Sequence, residues 1–262
     1  MVGMIGLVTV APLVPAAAAI GVLTGIAILA VVAWGKRCRA AAPVGVFCVV
    51  CVGLALSGVP YSQLVLGVGL LSYAVVVRTV PWLRGVATWG RWGSFGADVR
   101  VLTAVSGLIA AVALVGWYLL LHPNIDDIVQ TFVPDAPLGL LIAGGLVFSI
   151  VNAAVEEGAY RGVILHALDT TLGPGLAALG FQAIAFGALH IQGFPRGWVG
   201  VGLASIYGLL MGVIRRRAGG MFAPWVAHVF TDVVIAGIVV ILGRPNMALH
   251  PADVSLSLNG RG

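Results

Sequence analysis

Long apolar runs, broken by short clusters of charge and turn residues, recur along the whole chain. Eight of them, at 13–35, 41–57, 60–77, 101–121, 138–167, 175–191, 198–214 and 220–242, have the length and continuity of helices. A bilayer span takes about 20 mostly apolar residues. The pattern therefore predicts an all-α integral membrane protein, a bundle of about eight transmembrane helices. It divides into four N-terminal spans over 1–137, four further spans over 138–242, and a tail at 243–262. Pairs of glycines four apart, Gly21 and Gly25, Gly158 and Gly162, Gly208 and Gly212, are expected to let helices pack closely.

Composition strengthens this reading. The chain is 60% hydrophobic and only 9% charged, against about 25% charged residues in a soluble domain. The formal charge of +5 comes almost wholly from arginines gathered between the apolar runs, which fits membrane topology and argues against a nucleic-acid partner. Lys36, Arg37, Arg39, Arg78, Arg84, Arg91, Arg100, Arg161, Arg215, Arg216 and Arg217 fall on one side of the bundle and Arg196, Arg244 and Arg261 on the other. The first side is then cytoplasmic, and both termini face out. No Lys or Arg precedes Lys36, so the first run reads as a retained span. The stretch 84–100 mixes arginines with Trp89 and Trp92 and reads as a helix lying at the headgroup level. Cys38, Cys48 and Cys51 read as structural thiols.

Against this background the ionisable groups inside the later runs stand out, because a charge in a span costs at least a few kcal/mol and is retained for a reason. In VNAAVEEGAYRGVIL, residues 151–165, Glu157 and Arg161 are four apart with the acid first, the favourable order for an intrahelical pair. Glu156 points about 100° away, on a stripe with Asn152 and Tyr160, and has no cation within its helix. One glutamate is expected to be structural and the other a general base. FGALH, 186–190, puts Phe186 and His190 on one face with Gln182, and HVFTD, 228–232, puts His228 and Asp232 one turn apart. Three helices thus offer a carboxylate, a histidine, and a histidine with an aspartate. That set can activate water directly or through a metal held by the histidines. His122, His166 and His250 are read as solvated or packing residues.

These three motifs, in this order and with 34 and 38 residues between Glu156, His190 and His228, resemble those of the CPBP family of CAAX proteases and bacteriocin-processing enzymes. EEGAYRG is similar to Glu-Glu-x-x-x-Arg, FGALH to Phe-x-x-x-His and HVFTD to His-x-x-x-Asn/Asp. The resemblance covers 138–242 and implies a helical-bundle intramembrane endopeptidase. In it Glu156 activates water, Glu157 and Arg161 support that glutamate, and His190, His228 and Asp232 surround the reacting centre. Two positions depart from the family pattern: Tyr160 stands where Phe is common, and Asp232 where eukaryotic prenyl proteases have Asn. The extra negative charge favours a zinc ion on His190 and His228 as cofactor.

The expected partners are the lipid bilayer and a peptide or protein substrate, lipid-modified or membrane-anchored. The Arg-rich, Lys-poor composition points to a bacterial cell membrane, where a membrane-associated peptide is a better substrate than a eukaryotic prenylated protein. A secondary transporter would also place acids and histidines at the midplane, but on inverted repeats that are not found here. A non-proteolytic immunity or scaffold protein of the same family is the other alternative. The topology carries one tension. It puts Glu156 towards the inner half of its span and His190 near the outer end of the next, although the two must meet.

Overall fold

The structure, a computed structural model, describes residues 1–10, 14–59 and 62–242. Arg244, His250, Arg261 and the tail at 243–262 lie outside the described residues. Among those described, every regular element is helical. They are α1 (Val2–Val10), α2 (Ala16–Gly35), α3 (Ala41–Leu56), α4 (Ser62–Thr79), α5 (Ala97–Leu121), α6 (Asp126–Phe132), α7 (Leu138–Glu157), α8 (His166–Leu172), α9 (Leu176–Leu189), α10 (Gly197–Ala218) and α11 (Phe222–Gly237). A π-helical stretch, Gly158–Leu165, joins α7 to α8, and another, Ile238–Leu242, continues α11.

All eight expected helices are present, and the protein is a multi-pass α-helical membrane protein. Among the described residues, six helical runs are long and apolar enough to cross a membrane, while Ala41–Leu56 and Leu176–Leu189 are shorter. Helices α1 and α6 are additional. Boundaries moved where local chemistry decides them. The run from 138 continues to Leu172 and stops at Gly173, whose φ of 79° the following Pro174 and Gly175 leave unextended. Helix α10 takes Arg215, Arg216 and Arg217 into its last turn, where cations suit the exposed carbonyls, and ends at Gly219 with φ 65°.

Residues 84–96 are not the helix expected at 84–100. They form an extended strap bonded to the α10–α11 turn through Ser94 N to Ala218 O (2.8 Å), Met221 N to Arg91 O (2.8 Å) and Phe222 N to Trp92 O (3.2 Å). A Cβ at Gly93 would fall on the backbone of Ala218 and Gly220, so only glycine lets the two chains approach this closely. Glycines at 85, 90, 93 and 96 made a helix there costly.

The packing core is continuous across residue 137. Phe47, Tyr73, Tyr160, Leu165 and Phe186 belong to one buried cluster, so α1–α4 brace the π-helical stretch, α8 and α9. Helices α7–α8 and α9 form an antiparallel hairpin about the turn at 173–175, fastened by Arg216 of α10, which bonds Asp169 and the Gly175 carbonyl. Glu156 lies about 24 Å from the α8 end of this hairpin and His190 about 21 Å along the other arm, at 1.5 Å per residue. The two residues are therefore level. The tension in the topology came from ending the fifth helix five residues early, at 167.

Helix α9 packs against α10 through small residues. A Cβ at Gly187 would strike Ser205 and the Val201 carbonyl, and one at Gly212 would approach Leu179 and Gln182. A Cβ at Gly208 would come within 3.1 Å of Phe186, and Gly158 and Gly162 face Leu70 and Trp89, whereas a Cβ at Gly21 would meet nothing. Replacing Gly187 with Val should destabilise the purified protein by about 1–3 kcal/mol, the usual cost of overpacking. Gly180→Ala, at a site with open space, should leave the thermal unfolding midpoint in detergent unchanged or slightly raised.

Candidate active site

Helix α7 carries the first group of polar residues. Glu157 Oε1 accepts from Arg161 Nη1 at 2.8 Å, and both side chains are about 1% exposed or less. The pair forms at the junction where α-helix gives way to the wider π-helical turn, a feature that frequently accompanies functional sites. Arg161 Nη2 also donates to the Gly208 carbonyl (3.2 Å), and its guanidinium lies 4.5 Å over the Phe186 ring. One arginine thus touches α7, α9 and α10.

The same Glu157 oxygen meets His228 Nδ1 on α11 at 2.7 Å. A carboxylate only accepts, so Nδ1 carries the proton and donates it. The opposite nitrogen, Nε2, lies 3.6 Å from Glu156 Oε2 and 3.6 Å from Asp232 Oδ1. Asp232 is held in turn by Asn152 Nδ2 at 2.9 Å, across from α7. His190, the residue that ends α9, places Nδ1 3.2 Å from the Phe186 carbonyl. A carbonyl also only accepts, so His190 keeps Nε2 as its free lone pair. Both imidazoles are oriented the same way, each by an acceptor behind it.

Phe186 is the spacer between them. Its ring centroid is 5.0 Å from His190, 5.9 Å from His228 and 5.1 Å from Tyr160. Glu156, His190, His228 and Asp232 all line one cavity of about 670 Å³, together with Asn152, Tyr207 and Thr231. Away from this polar end the walls are apolar, including Leu114, Leu141, Phe148, Ile235 and Val239.

The six residues singled out in the sequence thus converge, and their parts differ. Glu157 and Arg161 are sealed behind the cavity wall, whereas Glu156, with a side chain 12% exposed, opens on the cavity. Sequence reasoning passed over three neighbours. Asn152 was placed on the Glu156 stripe but given no task, Thr231 sat unremarked within HVFTD, and Tyr207 belongs to α10, which bears none of the three motifs. His166 is half-buried near the Val86 backbone and lies away from the cavity, while His122 caps α5 with φ 44°.

The zinc expected on His190 and His228 was tested against the donor set. The two free imidazole nitrogens are the right chemistry, but the described residues contain no group of three or more His, Cys, Asp or Glu side chains arranged to hold a metal ion. No step below passes through a metal.

This geometry can be set beside known proteins. Residues 137–234, which span α7 to α11, match the family model Rce1-like, described as type II CAAX prenyl endopeptidase Rce1-like. That segment bears all three motifs, and the match supports a likeness of this part of the chain to the CPBP/CAAX protease family. No curated protein and no solved structure matches the chain.

At the cavity mouth Arg196 Nη1 bonds Asp127 Oδ2 of α6 at 2.7 Å. That hydrogen bond holds the Asp127 carboxyl below the usual carboxylate range. An acid depressed in the folded state adds stability above its unfolded pKa and loses it as pH falls through the folded one. Helix α6 should therefore stay fastened from neutral pH down to about 4 and loosen below that. Amide hydrogen exchange over 126–132, corrected for intrinsic rates, reads this, and Arg196→Gln should loosen α6 already at pH 7.

Arg161→Met should unfold the protein at a much lower temperature, since it leaves Glu157 charged and buried, at a cost of about 3–5 kcal/mol. Adding Glu157→Gln to Arg161→Met should recover part of the loss in the same melting assay.

Proposed function

We propose that the chain is an intramembrane endopeptidase in which Glu156 activates water for attack on a peptide carbonyl. The observation that carries this reading is the partition of the two adjacent glutamates. Glu157 spends its charge on Arg161 and His228 behind the wall, while Glu156 reaches the cavity with His190, His228 and Asp232 around it.

The chemistry follows from what each group can do. A water between Glu156 and the free Nε2 of His190 is oriented by one and deprotonated by the other, the arrangement general-base catalysis needs. Its oxygen bonds to the carbonyl carbon while the carbonyl π pair moves onto oxygen. As the tetrahedral intermediate collapses, the C–N bond breaks and the proton held by Glu156 passes to the leaving amine. Asn152 keeps Asp232 turned towards His228, and Glu157 fixes the His228 ring. The reacting group is thereby held on helices, which position side chains more firmly than loops.

The substrate in this reading is a peptide bearing a lipid anchor or tethered to the membrane. The cavity suits that description because its polar end, with Glu156 and His190, continues between apolar walls in a volume of about 670 Å³. The family description names prenyl endopeptidases, so a farnesylated peptide is the first probe to use.

In proteoliposomes with an internally quenched peptide ending in a farnesylated CAAX box, Glu156→Gln should lower kcat by about 10²- to 10⁴-fold and leave the melting temperature near that of the wild type. Cleavage by the folded variant at the wild-type rate would overturn the reading. Proton-coupled uptake of peptide without cleavage would favour a transporter instead.

A further inference from the structure

A negatively charged oxygen forms on the substrate carbonyl during attack, and it needs a hydrogen-bond donor in place beforehand. The donors around Glu156 are largely committed elsewhere. His190 Nδ1 faces the Phe186 carbonyl, His228 faces Glu157 through Nδ1 and both Glu156 and Asp232 through Nε2, Asn152 donates to Asp232, and Arg161 is sealed behind the wall with Glu157 and Gly208. Three carboxylates, Glu156, Glu157 and Asp232, crowd the same space. An oxyanion without a donor would be repelled.

Helix α10 supplies a group that no motif accounts for. Tyr207 lines the cavity, and its ring stands edge-on to His228 with centroids 5.6 Å apart. Its hydroxyl lies 3.1 Å from Thr231 Oγ1, and Thr231 Oγ1 lies 3.0 Å from the Ala227 carbonyl. A threonine hydroxyl has a single proton and here faces two acceptors. With that proton on the Ala227 carbonyl, the phenol donates to Thr231 and rests. With it on the phenol oxygen, the phenol proton is released to point into the cavity. Switching between these states rotates two O–H bonds and moves no heavy atom.

We propose that Tyr207 is a further catalytic residue, the oxyanion donor of the hydrolysis, and that Thr231 is the hydroxyl that frees its proton. The proposal rests on the hydrolase reading above. As the water oxygen bonds to the carbonyl carbon, the Tyr207 O–H donates a hydrogen bond to the developing alkoxide and keeps its proton throughout. The proton taken from water travels separately, by way of Glu156 to the leaving amine. The phenol is neutral in the resting site, so it adds no charge to be solvated in the membrane and acts only when charge appears on the substrate.

Wild type, Tyr207→Phe, Thr231→Val and Glu156→Gln are compared in proteoliposomes on the quenched farnesylated peptide. Tyr207→Phe should lower kcat by about 10²- to 10³-fold, the usual cost of losing one oxyanion donor, with KM within about twofold. A peptide aldehyde of the same sequence, which binds as its tetrahedral hydrate, should weaken in Tyr207→Phe by a similar factor, while the uncleaved peptide binds Glu156→Gln and the Tyr207→Phe, Glu156→Gln double variant equally. Thr231→Val keeps the phenol but loses the hydroxyl that frees its proton, and should lower kcat and aldehyde affinity by clearly less than Tyr207→Phe does.

A Tyr207→Phe enzyme that keeps kcat within threefold while Glu156→Gln is inactive would overturn the role of Tyr207 and leave the hydrolase reading standing. Equal losses in Tyr207→Phe and Thr231→Val, with unchanged aldehyde affinity, would reduce the hydroxyl pair to a packing element. A wild type that does not turn over the peptide, or a Glu156→Gln variant at full rate, would remove the hydrolase reading and Tyr207 with it.

Discussion

A buried arginine has to be neutralised, and in this protein that requirement ties the active half together. Arg161 is almost fully enclosed and satisfies itself on Glu157, on the Gly208 carbonyl and on the face of Phe186. Glu157 passes the connection on to His228. Four helical elements are thus joined through one cation and one carboxylate, and the cavity-facing groups hang from that joint. The desolvation of such a pair is expensive, so it adds little net stability compared with an apolar filling. What it fixes is registry. His228 cannot rotate without giving up Glu157, and Phe186 cannot leave without uncovering the guanidinium.

Adjacent identical residues do different things here because a helix turns by about 100° per residue. Glu157 faces the interior joint and Glu156 faces the cavity. This much was legible in the sequence, since Arg161 at the fourth position after Glu157 selects one acid and leaves the other. The three motifs and the helices that bear them were legible for the same reason, a polar group in a long apolar run having few neighbours to confuse it. The hydrogen bond from His228 to Glu157 was not, because it spans 71 residues and depends on how α7 and α11 cross. Tyr207 gave no signal at all. A tyrosine in an apolar helix is ordinary packing until the helix is seen to face a histidine.

Other departures have equally local causes. The tryptophans and arginines of 84–96 have the composition of a membrane-surface helix, yet the glycines at 85, 90, 93 and 96 were the stronger cue, and the non-helical strap they permit clasps the α10–α11 turn. The seven residues of α6 are too few for periodicity to register. Nothing in the spacing of the π-helical stretch after Glu157 distinguishes it from ordinary helix.

Helix α9 covers only 14 residues, about 21 Å against a hydrocarbon core of about 30 Å. Its outer side chains, Leu176, Phe181 and Ile184, are exposed and apolar. Lipid beside such a short wall has to thin locally or let headgroups sink along it, at a fraction of a kcal/mol per Å of mismatch. A bilayer around the protein would then be thinnest next to the helix that ends in His190. In the hydrolase reading water is the second reactant, and such a dimple would bring bulk solvent nearer to the cavity.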